Sequence, residues 1–507
     1  MKRLNFTAET LRRRVRTSTS VSLAAFAIAA FSLCLCASVV NVFAQTETPP
    51  APGAPKSGTV PAVQEKKLGN GLTVAVVERK GVPLVTIQLL VKSGASAEQA
   101  NKAGLADLTA SMLTKGTKTK TATQIAEEIE FLGGSINSGA GWNSSFVSVT
   151  VTSDKVDQAM AILADVVLNP KFDQKELDLL KSQTLDGLTY NLKQPSFLAN
   201  YVASKYSFGE HPAGGTPASI GSITSSDVSA FHDKNYRSDT SVLIFTGDIS
   251  LAKAAVSAEK IFAGMKKWEG ESGMRKEMVS SASSGSPQSA RRILVIDLPK
   301  SGQAAVSYYD QVLGVGRKSG SFYPATVMNT VLGGGYSARL NYEIRIKRGL
   351  SYGAGSNVGW RWNQANFGTR AQTKNESAAE VAELTMTEVM RMTNSSVGGE
   401  ELVPRKSVLT GNFGRNLETT NGLAAAVGEL YSFGIPTSEL NLYVSSVNGV
   451  TDAQIKDFAS KNLLGGDIII VGDYSVFKDD LAKRFPNMKI DVIKADELDL
   501  SKDNLRK

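Results

Sequence analysis

"GLADLTASMLTKGT", residues 104 to 117, is the stretch from which the rest of the chain is read. Leu105, Leu108 and Met112 recur at helical spacing, with Leu113 beside them, and predict a short helix that packs one side into a core. Asp107 and Ser111 stand four residues apart with Ala110 between them, so the three are neighbours on the helix surface. A carboxylate, a methyl and a hydroxyl in these places offer little chemistry.

Elements on either side are legible from pattern. LTVAVVE (72–78) and LVTIQLLVKSG (84–94) flank RKGVP and predict a strand pair. TATQ (121–124) has the form of a capping box, with Ile125, Ile129 and Leu132 on one face and Gly133 and Gly134 ending the helix. SSFVSVTVTS (144–153) alternates as a strand, and VDQAMAILADVVLNP (156–170) is an amphipathic helix that stops before Pro170.

The 507 residues imply roughly two to four domains, and 42% hydrophobic with 21% charged residues is the balance of a globular protein with ample core. The first 44 residues stand apart. Lys2, Arg3, Arg12, Arg13, Arg14 and Arg16 precede an apolar run, Val21–Val40, and VFA ends at Ala44, the pattern of a secretory signal cleaved there. Left uncleaved, residues 21–40 are long enough to anchor the chain in a bilayer. Either way the expected destination is outside the cytoplasm, in the periplasm. Cys34 and Cys36 are the only cysteines and both lie in this segment, so the mature chain is expected to have no thiol and no disulfide. The segment also carries +5 of the formal +8, leaving +3, which makes no case for nucleic acid.

Residues 45–64 are rich in proline and small residues and predict a flexible tether. Beyond it a repeat is visible. ITSSDVSAFHDKNY (223–236) aligns with VTDAQIKDFASKNL (450–463), keeping Thr224/Thr451, Phe231/Phe458, Lys234/Lys461 and Asn235/Asn462 in register. Each is followed by an apolar run with a Gly-Asp end, SVLIFTGD (241–248) and DIIIVGD (467–473). The expected architecture is α+β: two similar units, 65–275 and 292–486, each an antiparallel-rich sheet covered by helices, joined by a linker at 276–291 and followed by a tail at 487–507.

The order GLA…ML.KGT, T…I…IE.LGGSIN, LADVVLNPKFD, F…NYR, FTGD resembles the pitrilysin/insulinase superfamily of zinc metallopeptidases, peptidase family M16, in its bacterial two-domain form related to mitochondrial processing peptidase. The resemblance spans residues 65–485. It implies two homologous LuxS/metallohydrolase-like domains that, with a second subunit, enclose a chamber for peptides.

Active members of the superfamily carry His-x-x-Glu-His in the frame of the opening stretch. Two imidazoles at i and i+4 reach one Zn²⁺ from one helical face, and the Glu between them serves as general base on the metal-bound water. This chain has Asp107, Ala110 and Ser111 there. The resemblance places a third ligand, a Glu, further along, where this chain offers Asp186, Gly187 and Leu188. Asp107 and Asp186 could be imagined as an unusual metal site; the simpler reading is two solvated or structural carboxylates. His211 and His232, the only histidines, stand beside no evident ligand and read as loop or packing residues. No metal is expected on this chain.

The second half retains something else. YSARLNYEIRIKRGLSYGAGSNVGW (336–360) predicts a helix ending near Gly349 and then a strand. Arg345 and Tyr352, seven apart, match a superfamily pair that lies across the chamber from zinc, and the resemblance implies that they bind substrate carbonyls and steady the tetrahedral intermediate. Taken alone, they also read as a solvent-facing Arg and a strand Tyr. LGGGYSARL (332–340) resembles the glycine-rich segment lining the substrate path in processing-peptidase subunits, so Gly333, Gly334 and Gly335 are candidate peptide contacts; a plain helix-ending turn explains them equally well. No Gly-Lys-Ser/Thr follows, which excludes a phosphate loop. GLSYG (349–353) satisfies G-x-S-x-G, but a nucleophile elbow needs the strand first, the helix second and a histidine downstream, and Ser351 has none of these.

The resemblance therefore implies a non-catalytic, substrate-binding subunit of a heteromeric zinc peptidase, with Zn²⁺ held by a partner subunit. The rivals are a peptide-binding or assembly module without a role in proteolysis, an independent enzyme with an atypical metal site, and a homodimer, which would lack the general base twice over.

Overall fold

The structure, a computed structural model, describes residues 59–268 and 291–507. The signal-like segment, most of the tether and nearly all of the linker lie outside the described residues.

The first half runs β1 (Gln64–Lys67), β2 (Thr73–Glu78), β3 (Leu84–Val91), α1 (Leu105–Met112), α2 (Ala122–Phe131), β4 (Ser135–Ala140), β5 (Ser145–Thr152), α3 (Val156–Leu168), α4 (Gln174–Asn191), α5 (Pro195–Tyr206), α6 (Pro217–Ser222), α7 (Ser225–Asn235), β6 (Ser241–Gly247) and α8 (Leu251–Ile261). The second runs β7 (Ile293–Asp297), β8 (Ala304–Leu313), α9 (Phe322–Gly333), α10 (Arg339–Asn341) leading into a π turn (Tyr342–Ile346), β9 (Ser351–Trp360), β10 (Gln364–Thr373), α11 (Ala378–Asn394), α12 (Gly399–Glu418), α13 (Thr420–Phe433), α14 (Glu439–Gly449), α15 (Asp452–Asn462), β11 (Asp467–Gly472), α16 (Tyr474–Arg484) and β12 (Ile490–Lys494).

The sheets are ordered β1-β2-β6-β3-β5-β4 and β12-β7-β11-β8-β10-β9. Removing the first strand of each list leaves the same topology twice: one parallel pair (β2 with β6, β7 with β11) followed by three antiparallel pairings. The aligned sequence blocks occupy equivalent places, α7–β6 and α15–β11. Each helix starts at a reciprocal capping box, Thr224 with Asp227 and Thr451 with Gln454, as does α2 with Thr121 and Gln124.

Two sequence expectations are corrected. The strands flanking RKGVP are not partners, because β6 lies between them, parallel to β2 and antiparallel to β3. β6 is buried at every residue and is stable only at the centre of a sheet covered on both faces. The segment 487–507 is not a tail outside the second unit. Its β12 pairs parallel with β7 and closes that edge, although the half-buried IDVIK carries no strong strand signal.

Each sheet is covered on one face by its own helices and on the other by a helix from the opposite half. Under the first sheet, Val74, Val76, Ile87 and Leu89 meet Leu108, Met112, Ala159 and Leu163. On its other face Ala75, Val77, Val242 and Ile244 meet Leu423, Ala424 and Val427 of α13. The second sheet returns the arrangement, with Leu294, Ile296, Ile469 and Val471 under Leu198, Ala199 and Val202 of α5. The halves are therefore one folded body, residues 59–507.

One buried carboxyl on β8 gives this body a pH dependence. Burial pushes Asp310 up to about 7, with the Tyr308 hydroxyl donating to its Oδ2 at 3.1 Å. The unfolded chain releases this proton near its ordinary 3.8 and the folded chain keeps it, so the stabilisation is complete below that value and is lost as pH rises through about 7. Asp310→Asn is expected to match the parent Tm at pH 4 and to exceed it at pH 8 by the equivalent of about 4 kcal/mol, the linkage value of a pKa raised from 3.8 to about 7. Equal Tm values at both pH values would contradict this.

Candidate functional site

The motif helix α1 is held from its N-terminus. Gly104 has φ 92° and is buried, and a Cβ on it would fall 2.6 Å from Ile220 Cδ1, so glycine is required there for both reasons. The fully buried Glu98 carboxylate accepts from Gly104 N at 2.9 Å and Ala106 N at 2.8 Å, satisfying amides that the first turn leaves open. His211 Nε2 lies 3.0 Å from the same carboxylate, and its ring packs at 5.0 Å from Trp142. His211 thus has a carboxylate neighbour that its sequence context did not reveal, but Glu98 is committed to the helix end. His232 is a packing residue. Nε2 is 2.8 Å from Val167 O, the ring lies between Phe172 and Tyr236, and burial lowers its pKa.

Along α1, Ala110 is completely buried and has no group to ligate a metal or move a proton. Asp107 is half-buried, with burial raising its pKa against the opposing effect of the Ala140 N–H. Ser111 is half-buried. On α4, Asp186 and Gly187 are exposed, whereas Leu188 joins the core shared with the second half. Among the described residues no group of three or more His, Cys, Asp or Glu is placed to hold a metal ion. The family's zinc does not fit these side chains: a methyl stands at the centre of the motif, and the one helix carboxylate is desolvated without an imidazole beside it.

The second half builds its counterpart differently. At the end of α9 a Cβ on Gly333 would fall 2.2 Å from Ser356 N, so this glycine lets the helix end lie directly against β9. Gly334 is exposed and Gly335 half-buried. Asn341, buried on α10, donates through Nδ2 to Tyr336 O and accepts from Ala354 N at 3.0 Å, tying the glycine segment to the strand. Arg339 beneath it is bidentate to Glu401, at 3.0 and 2.7 Å.

Arg345 lies in the π turn, a local widening that often marks functional positions. Ile344 beside it is buried, so the turn is pinned while Arg345 stays at the surface. Its guanidinium lies 4.9 Å from the centroid of the Tyr336 ring, which itself is 66% exposed. The turn closes at Gly349, whose N–H donates to Arg345 O at 2.9 Å, and two residues on begins β9, where Tyr352 is 87% exposed. Ser351 Oγ donates to Gly353 O at 2.8 Å, a local turn contact with no histidine in it. Sequence reasoning singled out Arg345 and Tyr352 but missed Tyr336, whose only signal was an aromatic directly after three glycines.

A second polar cluster joins the halves. Glu210, buried in the loop after α5, accepts from Arg361 Nε (3.1 Å) and Nη2 (2.9 Å), Gln364 Nε2 (3.0 Å) and Asn366 Nδ2 (3.0 Å). Arg361 also lies over the Trp142 ring at 4.8 Å. The sequence of contacts Glu98, His211, Trp142, Arg361, Glu210 thus leads from the motif helix to β10.

Two family models match the chain: Insulinase (Peptidase family M16) over residues 73–204, and Peptidase M16 inactive domain over residues 222–405. An uncharacterized zinc protease of Rickettsia felis is 27% identical over 388 residues, covering 75% of this chain and 91% of that protein. The mitochondrial-processing peptidase subunit beta of Blastocladiella emersonii is 24% identical over 425 residues, covering 81% and 88%. Among solved structures, a peptidase M16 inactive domain from Pseudomonas fluorescens superposes with TM-score 0.72 at 26% identity, covering 81% of this chain and 98% of that one. A protease from Helicobacter pylori superposes with TM-score 0.74 at 17% identity, covering 82% and 100%, a likeness of fold. With the doubled six-stranded topology and both matched regions in order, the chain belongs to peptidase family M16, in its two-domain form.

Proposed function

We propose that this chain is the non-catalytic, peptide-holding subunit of a heteromeric zinc metallopeptidase. A partner subunit of the same family supplies the metal and the general base, and this chain supplies hydrogen-bond donors to the peptide. The observation that carries the reading is the contrast between the two halves. The motif helix presents Asp107, Ala110 and Ser111, while Arg345 and Tyr352 remain at the surface on a pinned turn and the strand after it. A guanidinium and a phenol aimed at substrate carbonyls do most where negative charge develops. The processing-peptidase relative, named as a beta subunit, lends the heteromeric part of the reading its precedent. Export through residues 1–44 belongs to the same reading.

Isolation from the periplasm of the native host is the test. The chain is expected to begin at Gln45, to co-purify with an M16 homologue bearing His-x-x-Glu-His, and once separated to carry no stoichiometric zinc and cut no peptide. The recombined pair cuts peptides, and a chelator abolishes that activity. One zinc per isolated chain together with unaided peptidase activity would overturn the proposal.

A further inference from the structure

Beside Tyr352 lies a cavity of about 350 Å³ at the meeting of the two halves. Its lining includes Arg370, Gln372, Gln303, Ser351 and, from α5 of the first half, Ser196. Along β10, Phe367 and Ala371 enter the core of the second half, so Arg370 and Gln372 point to the opposite face, the one on which Asn366 meets Glu210. The Gln372 amide is already engaged, accepting from Ser196 Oγ at 3.2 Å and donating to Gln303 Oε1 at 2.6 Å. Arg370 differs. It is exposed, the lining contains no Asp or Glu, and its guanidinium is in no ion pair or hydrogen bond with the described residues. Its register partner on β9 is Gly355, so no side chain opposite covers the guanidinium.

A cavity with a single cation, neutral polar walls and a phenol at its edge suits an anion of carboxylate size. We infer that it takes a carboxylate of the bound peptide, from an acidic side chain or the C-terminus, on Arg370. Planar guanidinium and planar carboxylate meet through two parallel hydrogen bonds, which sets orientation as well as charge preference. This rests on the peptide-holding role proposed above and adds a substrate class to it: peptides with an acidic group placed to enter the cavity when the backbone lies along Arg345 and Tyr352.

The test uses the purified chain and fluorescein-labelled Ala/Ser/Gly peptides in three forms: one central Glu with an amidated end, Gln in its place with an amidated end, and Gln with a free C-terminus. Anisotropy is expected to give a Kd about tenfold lower for the Glu peptide, the free-acid peptide or both than for the uncharged one, which identifies the source of the carboxylate. Arg370→Gln, a surface change that leaves the fold intact, is expected to abolish the difference, and Arg370→Glu to turn it into a preference for the uncharged peptide. Equal affinities for all three peptides, or a preference that survives Arg370→Gln, would overturn the carboxylate pocket and leave the peptide-holding role standing. Absence of binding to any peptide would overturn both.

Discussion

In the proposed heteromer, once recombined, Arg345→Ala is expected to lower kcat/KM for peptide hydrolysis by about 10²-fold, the scale of losing one donor to a developing oxyanion. The loss falls mainly on kcat, because the donor strengthens as the carbonyl oxygen gains charge. Arg345→Lys recovers only part of it, since an ammonium cannot reproduce the two-pronged guanidinium, and Tyr352→Phe costs about tenfold for its single hydroxyl. Folding is nearly unaffected. Arg345 is half-buried, and its contact with the Tyr336 ring contributes about 0.5–1 kcal/mol at such a position. Steady-state kinetics beside thermal unfolding separate the two effects. Full activity in the Arg345→Ala heteromer would leave the chain as an assembly or peptide-binding module.

Glu210→Ala is the substitution expected to cost the fold most, about 3–5 kcal/mol. Four donors from the second half converge on this buried carboxylate, and alanine leaves the Gln364 and Asn366 amides and the Arg361 guanidinium with nothing to replace it. The double variant Glu210→Ala/Arg361→Ala should lose less than the two single variants added together, because the charge left uncompensated in the first is absent. Urea unfolding of the four proteins completes the cycle. Strict additivity would show that the carboxylate and the guanidinium act independently.

Much of the first half was legible without coordinates. Leu105, Leu108 and Met112 have helical period, and Thr121 and Gln124 cap one helix start; both are interactions within a few residues. The candidate residues Arg345 and Tyr352 sit in one contiguous frame, which is why they could be picked out together. The glycines before them read as peptide contacts or a helix-ending turn, whereas the close approach that Gly333 makes is to β9. Other features gave no local sign. β6 between β2 and β3, β12 at the far edge, Tyr336 under Arg345 and Arg370 opposite Gly355 are relations between segments that no periodicity links.

What the chain declares in one dimension is its doubled plan and a motif helix without an imidazole. Folding can bring side chains together, but it cannot supply an imidazole or a base where Ala110 and Ser111 stand. What waits for three dimensions is how the halves become one body. α5 and α13 each cover the other half's sheet, and Glu210 meets partners 151 to 156 residues away. Burial free energy depends on which surfaces meet, and an apolar strand such as β6 shows only that both its faces must be covered, not which helix covers them.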